Sequence, residues 1–186
     1  MARLGFEKDL LVIVKSGALV PTSVLEDLGK LCQQKMPRYQ GVRVSEQGPD
    51  LRATPGDESS KMLDMLQEAY PQEDVLALTN RALQTKEGRI ISGVAHYATR
   101  SSLVHVNEDV YDWKYGMTDA LYGLSLHELG HLQGLQHHVA RTKDGYCPMV
   151  TGEDIVRRHG VAINTKMYFS TEFCTSCTSY LNKKSL

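Results

Sequence analysis

One tryptophan, three phenylalanines, six prolines, four cysteines and a net charge of only −1 mark this 186-residue sequence. Each scarcity excludes something. Without a basic excess there is no electrostatic footprint for nucleic acid or for an anionic membrane surface. No window approaches the roughly eighteen apolar residues of a membrane span. The longest early apolar run, Leu10 to Val14, is far shorter and follows the charged Glu7, Lys8 and Asp9. No small-residue cleavage site follows a long enough apolar region to form a signal peptide. These absences predict a cytoplasmic protein that binds neither nucleic acid nor membrane. In such a protein four cysteines are not expected to form two disulfides. Cys174 and Cys177 make a C-x-x-C pair, which points to metal or redox chemistry, and Cys32 lies in an apolar helical pattern as a small buried hydrophobe.

What remains is ordinary globular material, 41% apolar and 23% charged, without internal repeats. Its length predicts one domain spanning residues 1–186. Leu10–Val14 is an apolar, β-branched run and predicts a buried strand; Gly41–Ser45 alternates and predicts a second, and Asp74–Thr79 a third. Between them, Val24, Leu25, Leu28, Leu31 and Cys32 recur at helical spacing after Pro21-Thr22-Ser23, with Ser23 and Glu26 placed as a capping box. Met62, Leu63, Leu66 and Ala69 do the same before Pro71. Strand, helix, strand, helix, strand predicts a parallel α/β core. Residues 90–99 and 102–106 are further strand-like runs, joined too closely for a helical crossover and therefore antiparallel. The fold class expected is α/β, a mixed twisted sheet of about five strands with packed helices. His96 and His105 sit in these runs without metal-ligand spacing and are read as sheet histidines. Arg52 and Arg100 are read as solvated, and the aromatic stretch from Tyr111 to Gly116 as packing beside a buried helix that begins at Met117.

That helix carries the chemistry. Residues 127–138 read HELGHLQGLQHH and hold four of the seven histidines. His127 and His131 are four apart, so on a helix they lie one turn above the other on one face. Gly134 can take the left-handed conformation that ends a helix. His137 then swings back as a third ligand. Three protein ligands leave the fourth position of a tetrahedral zinc open, the arrangement of a catalytic rather than a structural site. Zinc lowers the pKa of water in that position to about 7, and Glu128 is placed to take its proton.

HELGHLQGLQH resembles the extended zinc signature of the metzincin metallopeptidases. Those proteins also carry a methionine in a tight turn beneath the metal, for which Met149 in Cys147-Pro148-Met149 is the candidate. A cysteine just before that methionine and the late Phe173-Cys174-Thr175-Ser176-Cys177 make the sequence similar to the archaemetzincins, with motifs spanning residues 127–177. The resemblance implies a metzincin-like fold and a zinc-dependent peptidase acting on a peptide or protein substrate. In it, His127, His131 and His137 would hold the catalytic zinc, with Glu128 as general base and Met149 as a structural floor. It further implies that one edge strand, taken as residues 102–106, pairs with an extended peptide. Tyr146, near the methionine turn, could support the oxyanion.

The family's second, four-cysteine structural site is altered here. Its first position is His138, and the intervals from His138 to Cys147 and from Met149 to Cys174 are longer than the usual family spacing. Histidine is itself a zinc ligand, so the expectation is a Cys3His site of His138, Cys147, Cys174 and Cys177, with His159 as the alternative fourth ligand. Two zinc ions per chain follow, one catalytic and one structural. Residues 1–137 would form a subdomain with the sheet and the site helix; residues 138–186 would form a smaller one stapled by zinc, with a helix after Thr151 and another capped by Ser170. The competing reading is a zinc-binding protein of the same fold that binds peptides or regulates without cleaving them.

Overall fold

The computed structural model describes residues 9–51, 58–106, 118–159 and 170–185. Arg52, the stretch from Tyr111 to Gly116 and the predicted helix start at Met117 lie outside the described residues. Strand β1 (Asp9–Ser16) leads through helix α1 (Thr22–Lys35) to β2 (Tyr39–Ser45), and α2 (Ser59–Ala69) leads to β3 (Asp74–Thr79). A two-residue hairpin, β4 (Leu83–Gln84) with β5 (Ile90–Ile91), precedes β6 (Gly93–His96) and β7 (Ser101–His105). The long helix α3 (Thr118–Leu132) follows, then a hairpin of β8 (Arg141–Thr142) and β9 (Gly145–Tyr146), α4 (Gly152–His159) and α5 (Thr175–Lys184).

The main sheet has the order β2-β1-β3-β7-β6, parallel except that β6 runs antiparallel to β7. Burial explains the order. Along β1, Leu11 and Ile13 point to one face and Val12 and Val14 to the other, and both faces are covered. Leu76, Leu78 and Val104 join the first face, against α1 and α3. Val75, Ala77 and Leu103 join the second, against Met62, Leu63 and Leu66 of α2. The chain steps outward from β1 to β2 with its helix on one face, then back past β1 to β3 with its helix on the other. Right-handed crossovers require that reversal of face.

The five-stranded mixed sheet is the one expected, with differences at its ends. The run 90–99 is not one strand: Ile90 and Ile91 pair with Leu83 and Gln84, and only Gly93–His96 enters the main sheet. Ser23 and Glu26 form no capping box; α1 starts on the Pro21 carbonyl, which accepts from the Val24 and Leu25 N–H groups, and the Thr22 hydroxyl bonds Glu46 instead. Residues 102–106 are not an edge, because β7 lies between β3 and β6; among the described residues the edge at that end is β6. Arg100 is not solvated. Its Nε donates to buried Asp74 at 2.6 Å and its Nη1 to the Gln72 carbonyl, at a left-handed turn position (φ 54°) between β6 and β7. Asp74 also accepts from the Tyr39 hydroxyl, so this guanidinium compensates a buried carboxylate.

Helix α3 packs across β6 and β7 and is apolar on nearly every side: Leu121, Leu124, Leu126, Leu129 and Leu132 are all buried. A helix enclosed on most faces presents what it carries on a rigid support. Among the described residues no helix is long and apolar enough to cross a membrane.

Candidate metal centres

Two groups of metal-ligating side chains converge within this frame, and they meet at adjacent residues. The first is built on the end of α3. Gly134 takes φ +91°, its N–H bonds the His131 carbonyl, and the Leu135 N–H bonds that of Gly130, both at 2.9 Å. This is a Schellman stop, and it turns the chain so that His137 comes back over the helix. The Nε2 atoms of His127, His131 and His137 then lie 2.9 to 3.3 Å from one another. For zinc–nitrogen bonds of about 2.0–2.1 Å, a tetrahedral edge is about 3.3 Å, so the donor set fits one zinc ion.

The far side of each ring completes the arrangement. His127 Nδ1 lies 2.5 Å from the Pro148 carbonyl and His131 Nδ1 3.0 Å from the Leu135 carbonyl. A carbonyl can only accept, so each Nδ1 carries the proton and each Nε2 presents a lone pair. Burial, with His131 and His137 nearby, pushes the His127 pKa down to about 4; burial and His137 lower His131 as well. Both rings therefore stay neutral, the form a metal takes. His127 is buried and His137 exposed, so the cluster opens to solvent on one side.

Glu128 is buried, and desolvation raises its pKa to about 8. It lies against Gly93 of the edge strand: a Cβ there would fall 2.4 Å from Glu128 Oε1. Gly130 is constrained in the same way, since a Cβ would sit 2.5 Å from Met149 Sδ. Met149 is wholly buried in a tight turn closed by the Val150 N–H on the Cys147 carbonyl at 3.0 Å. The demands on Gly93 and Gly130 had no local sequence signal, because each arises from an element distant in the chain. Tyr146 belongs to a separate small apolar cluster. It is buried with Val150 and Ile155, and its hydroxyl accepts from Arg141, whose guanidinium covers the ring at 4.5 Å.

The second group is His138, Cys147, Cys174 and Cys177, whose donor atoms all lie within 4.8 Å of one another. His138 Nε2 is 3.3 Å from Cys174 Sγ and 3.5 Å from Cys177 Sγ, and Cys147 and Cys177 are 3.9 Å apart. A disulfide would bring two sulfurs to about 2.05 Å, whereas zinc–thiolate bonds of about 2.3 Å give tetrahedral edges near 3.8 Å. His138 Nδ1 faces the Gln136 carbonyl at 3.0 Å, which leaves Nε2 as the donor. Hydrogen bonding from Cys177, then from the Cys174 and Met149 backbone, pulls the Cys147 thiol down to about 5, and the same contact pushes Cys177 up. Thiols this close ionise together only around a cation. His159, the alternative ligand, ends α4, and its side chain lies outside the described residues. Ser170 does not cap α5: it turns the chain by accepting from the Glu172 N–H, and Cys174 is the N-cap. Neither His96 nor His105 joins a metal-ligating group among the described residues.

A mixed α/β fold, a three-histidine cluster at a Schellman stop and a methionine turn beneath it define a metzincin-like architecture. The solved structures similar to the chain make it more specific. An archaemetzincin from Methanopyrus kandleri superposes with a TM-score of 0.69 at 18% identity, covering 99% of this chain and 98% of that one. A zinc-dependent peptidase from Methanocorpusculum labreanum gives 0.68 at 19% identity, covering 93% and 100%. An archaemetzincin from Archaeoglobus fulgidus, complexed with malonate, gives 0.62 at 17% identity, covering 92% and 99%. The fold is that of the archaemetzincins, as the motifs had implied. No family model and no curated protein matches the sequence.

Proposed function

We propose that this protein is a zinc-dependent metallopeptidase of archaemetzincin type, with His127, His131 and His137 holding the catalytic zinc. The observation that carries the reading is the convergence of three histidine Nε2 atoms beside a buried carboxylate, next to the edge strand of the sheet. Two of the similar structures are named archaemetzincins and one a zinc-dependent peptidase, which supports it. Zinc in such a position polarises a carbonyl and lowers the pKa of water to about 7.

The chain's own residues supply the rest. Strand β6 is the outermost strand at this end of the sheet among the described residues, and an extended peptide adds there by strand pairing. Glu128 lies directly behind Gly93 of that strand, within reach of a bond held along it. A carboxylate out of water is a stronger base than a solvated one, so Glu128 takes a proton from the attacking water and returns it to the leaving amine. Met149 holds the helix from below and takes no part in proton transfer. His138, Cys147, Cys174 and Cys177 hold a second, structural zinc, giving two ions per chain.

The test is hydrolysis of a peptide library by wild type and by Glu128→Ala, with zinc measured in both. We expect the variant to keep its zinc and lose about 10²–10⁴-fold in rate, the span of a general base. Equal cleavage by both would assign the activity to a contaminant and leave the chain a zinc-binding module.

A further inference from the structure

Three supports of the three-histidine cluster lead to the cysteine cluster. The Pro148 carbonyl that orients His127 belongs to the residue after Cys147. The Leu135 carbonyl that orients His131 leaves the Gly134 turn, and that turn packs on Tyr180 of α5, the helix that carries Cys177: a Cβ on Gly134 would lie 2.8 Å from the Tyr180 hydroxyl. His137 is bonded through one peptide to His138. The two strips of chain are tied together besides, by the His138 N–H on the Met149 carbonyl at 3.1 Å and the Cys147 N–H on that of Ala140 at 2.9 Å.

From this geometry we infer that the two clusters are thermodynamically coupled, so that a metal on His138, Cys147, Cys174 and Cys177 raises the metal affinity of His127, His131 and His137. The inference rests on the metal-binding part of the proposed function and not on peptidase activity. Its physical basis is preorganisation. The three Nε2 atoms form one site only when the Leu135 and Pro148 carbonyls and the His137 backbone are held together. Apparent affinity falls in proportion to the fraction of molecules so arranged. Without a cation the cysteine cluster loses what draws its four ligands together, and the Cys147–Met149 turn and α5 are released from it. The carbonyls that orient His127 and His131 then lose their anchors, and His137 loses its neighbour's.

Cobalt(II) reads the two sites separately. Thiolate ligands give a charge-transfer band in the near ultraviolet, and the three-histidine site contributes visible ligand-field bands alone. Cobalt is titrated into metal-free wild type, Cys174→Ser and His131→Ala, with the fold followed by circular dichroism and each affinity set by chelator competition. We expect Cys174→Ser to weaken cobalt at the histidines by about tenfold or more, although Cys174 touches none of them. Coupling between sites is reciprocal, so His131→Ala should weaken cobalt at the thiolates by a similar factor. Affinity at either site within twofold of wild type, when the other is crippled, overturns the inference. If Cys174→Ser does not fold, the His131→Ala arm decides alone, since it leaves all four thiolate-cluster ligands in place. Peptide hydrolysis enters nowhere, so failure of the peptidase reading and failure of the coupling are distinguishable.

Discussion

At the scale of single residues, Glu128 stores a stability cost that pH can reveal. Burial holds its folded-state pKa at about 8 against an ordinary value of 4.5. Between those values the folded state binds the proton and the unfolded state does not, so stability falls as pH rises through that window. His127, pushed down to about 4 from 6.5, acts oppositely: the unfolded state binds the extra proton, and stability rises with pH between those values. In protein stripped of metal at the histidines, Glu128→Gln should therefore match wild type near pH 4.5. It should exceed it increasingly toward pH 8, by a few kcal/mol at about 1.4 kcal/mol per pKa unit. Urea denaturation across that range measures the difference, and a gap independent of pH would show that Glu128 titrates normally. The same residues show what was legible in the sequence. His127, Glu128, His131, Gly134 and His137 could be placed because their relations lie within one helix and its stop. Gly93 and Gly130 could not, since what crowds them arrives from other elements. Arg100 was misread for the same reason, its partner being set by tertiary contact.

Among the elements, the end of α3 matters most. A non-glycine residue at Gly134 has to adopt φ +91°, at about 1–2 kcal/mol, and its Cβ meets the Tyr180 hydroxyl. Gly134→Ala should lower Tm by several degrees, at about 2–4 °C per kcal/mol for a chain of this size, and should weaken metal binding at the histidines together with it. A thermal melt beside a cobalt titration checks both; loss of stability with full affinity would show that His137 can return by another path. The parallel strands were legible because strands covered on both faces read as continuous apolar runs. The run 90–99 misled because it serves two sheets, divided at Ser92, and periodicity cannot show where one sheet passes to the next. The edge was misplaced with it: a sequence gives strands in chain order, and β6 precedes β7 in the chain but lies outside it in the sheet.

For the whole molecule the expected zinc content is two ions per chain by metal analysis, and chelation should lower Tm well beyond the effect of emptying one solvent-facing site. One zinc with all four thiols reactive in the native state would remove the cysteine cluster from the account. That cluster has a further consequence as a cross-link in a polymer. With a metal bound it would clip His138 to Cys174, 36 residues away, and Cys147 to Cys177, 30 away. The entropy of closing a loop grows only with the logarithm of its length, about 0.6 kcal/mol per doubling. Lengthening the chain between Met149 and Cys174 by roughly ten residues thus costs a few tenths of a kcal/mol. The junction of His137 and His138 has no such slack, because one residue added there turns an imidazole away from its cluster. Chain length is free to drift across the long loop and frozen across a single peptide bond.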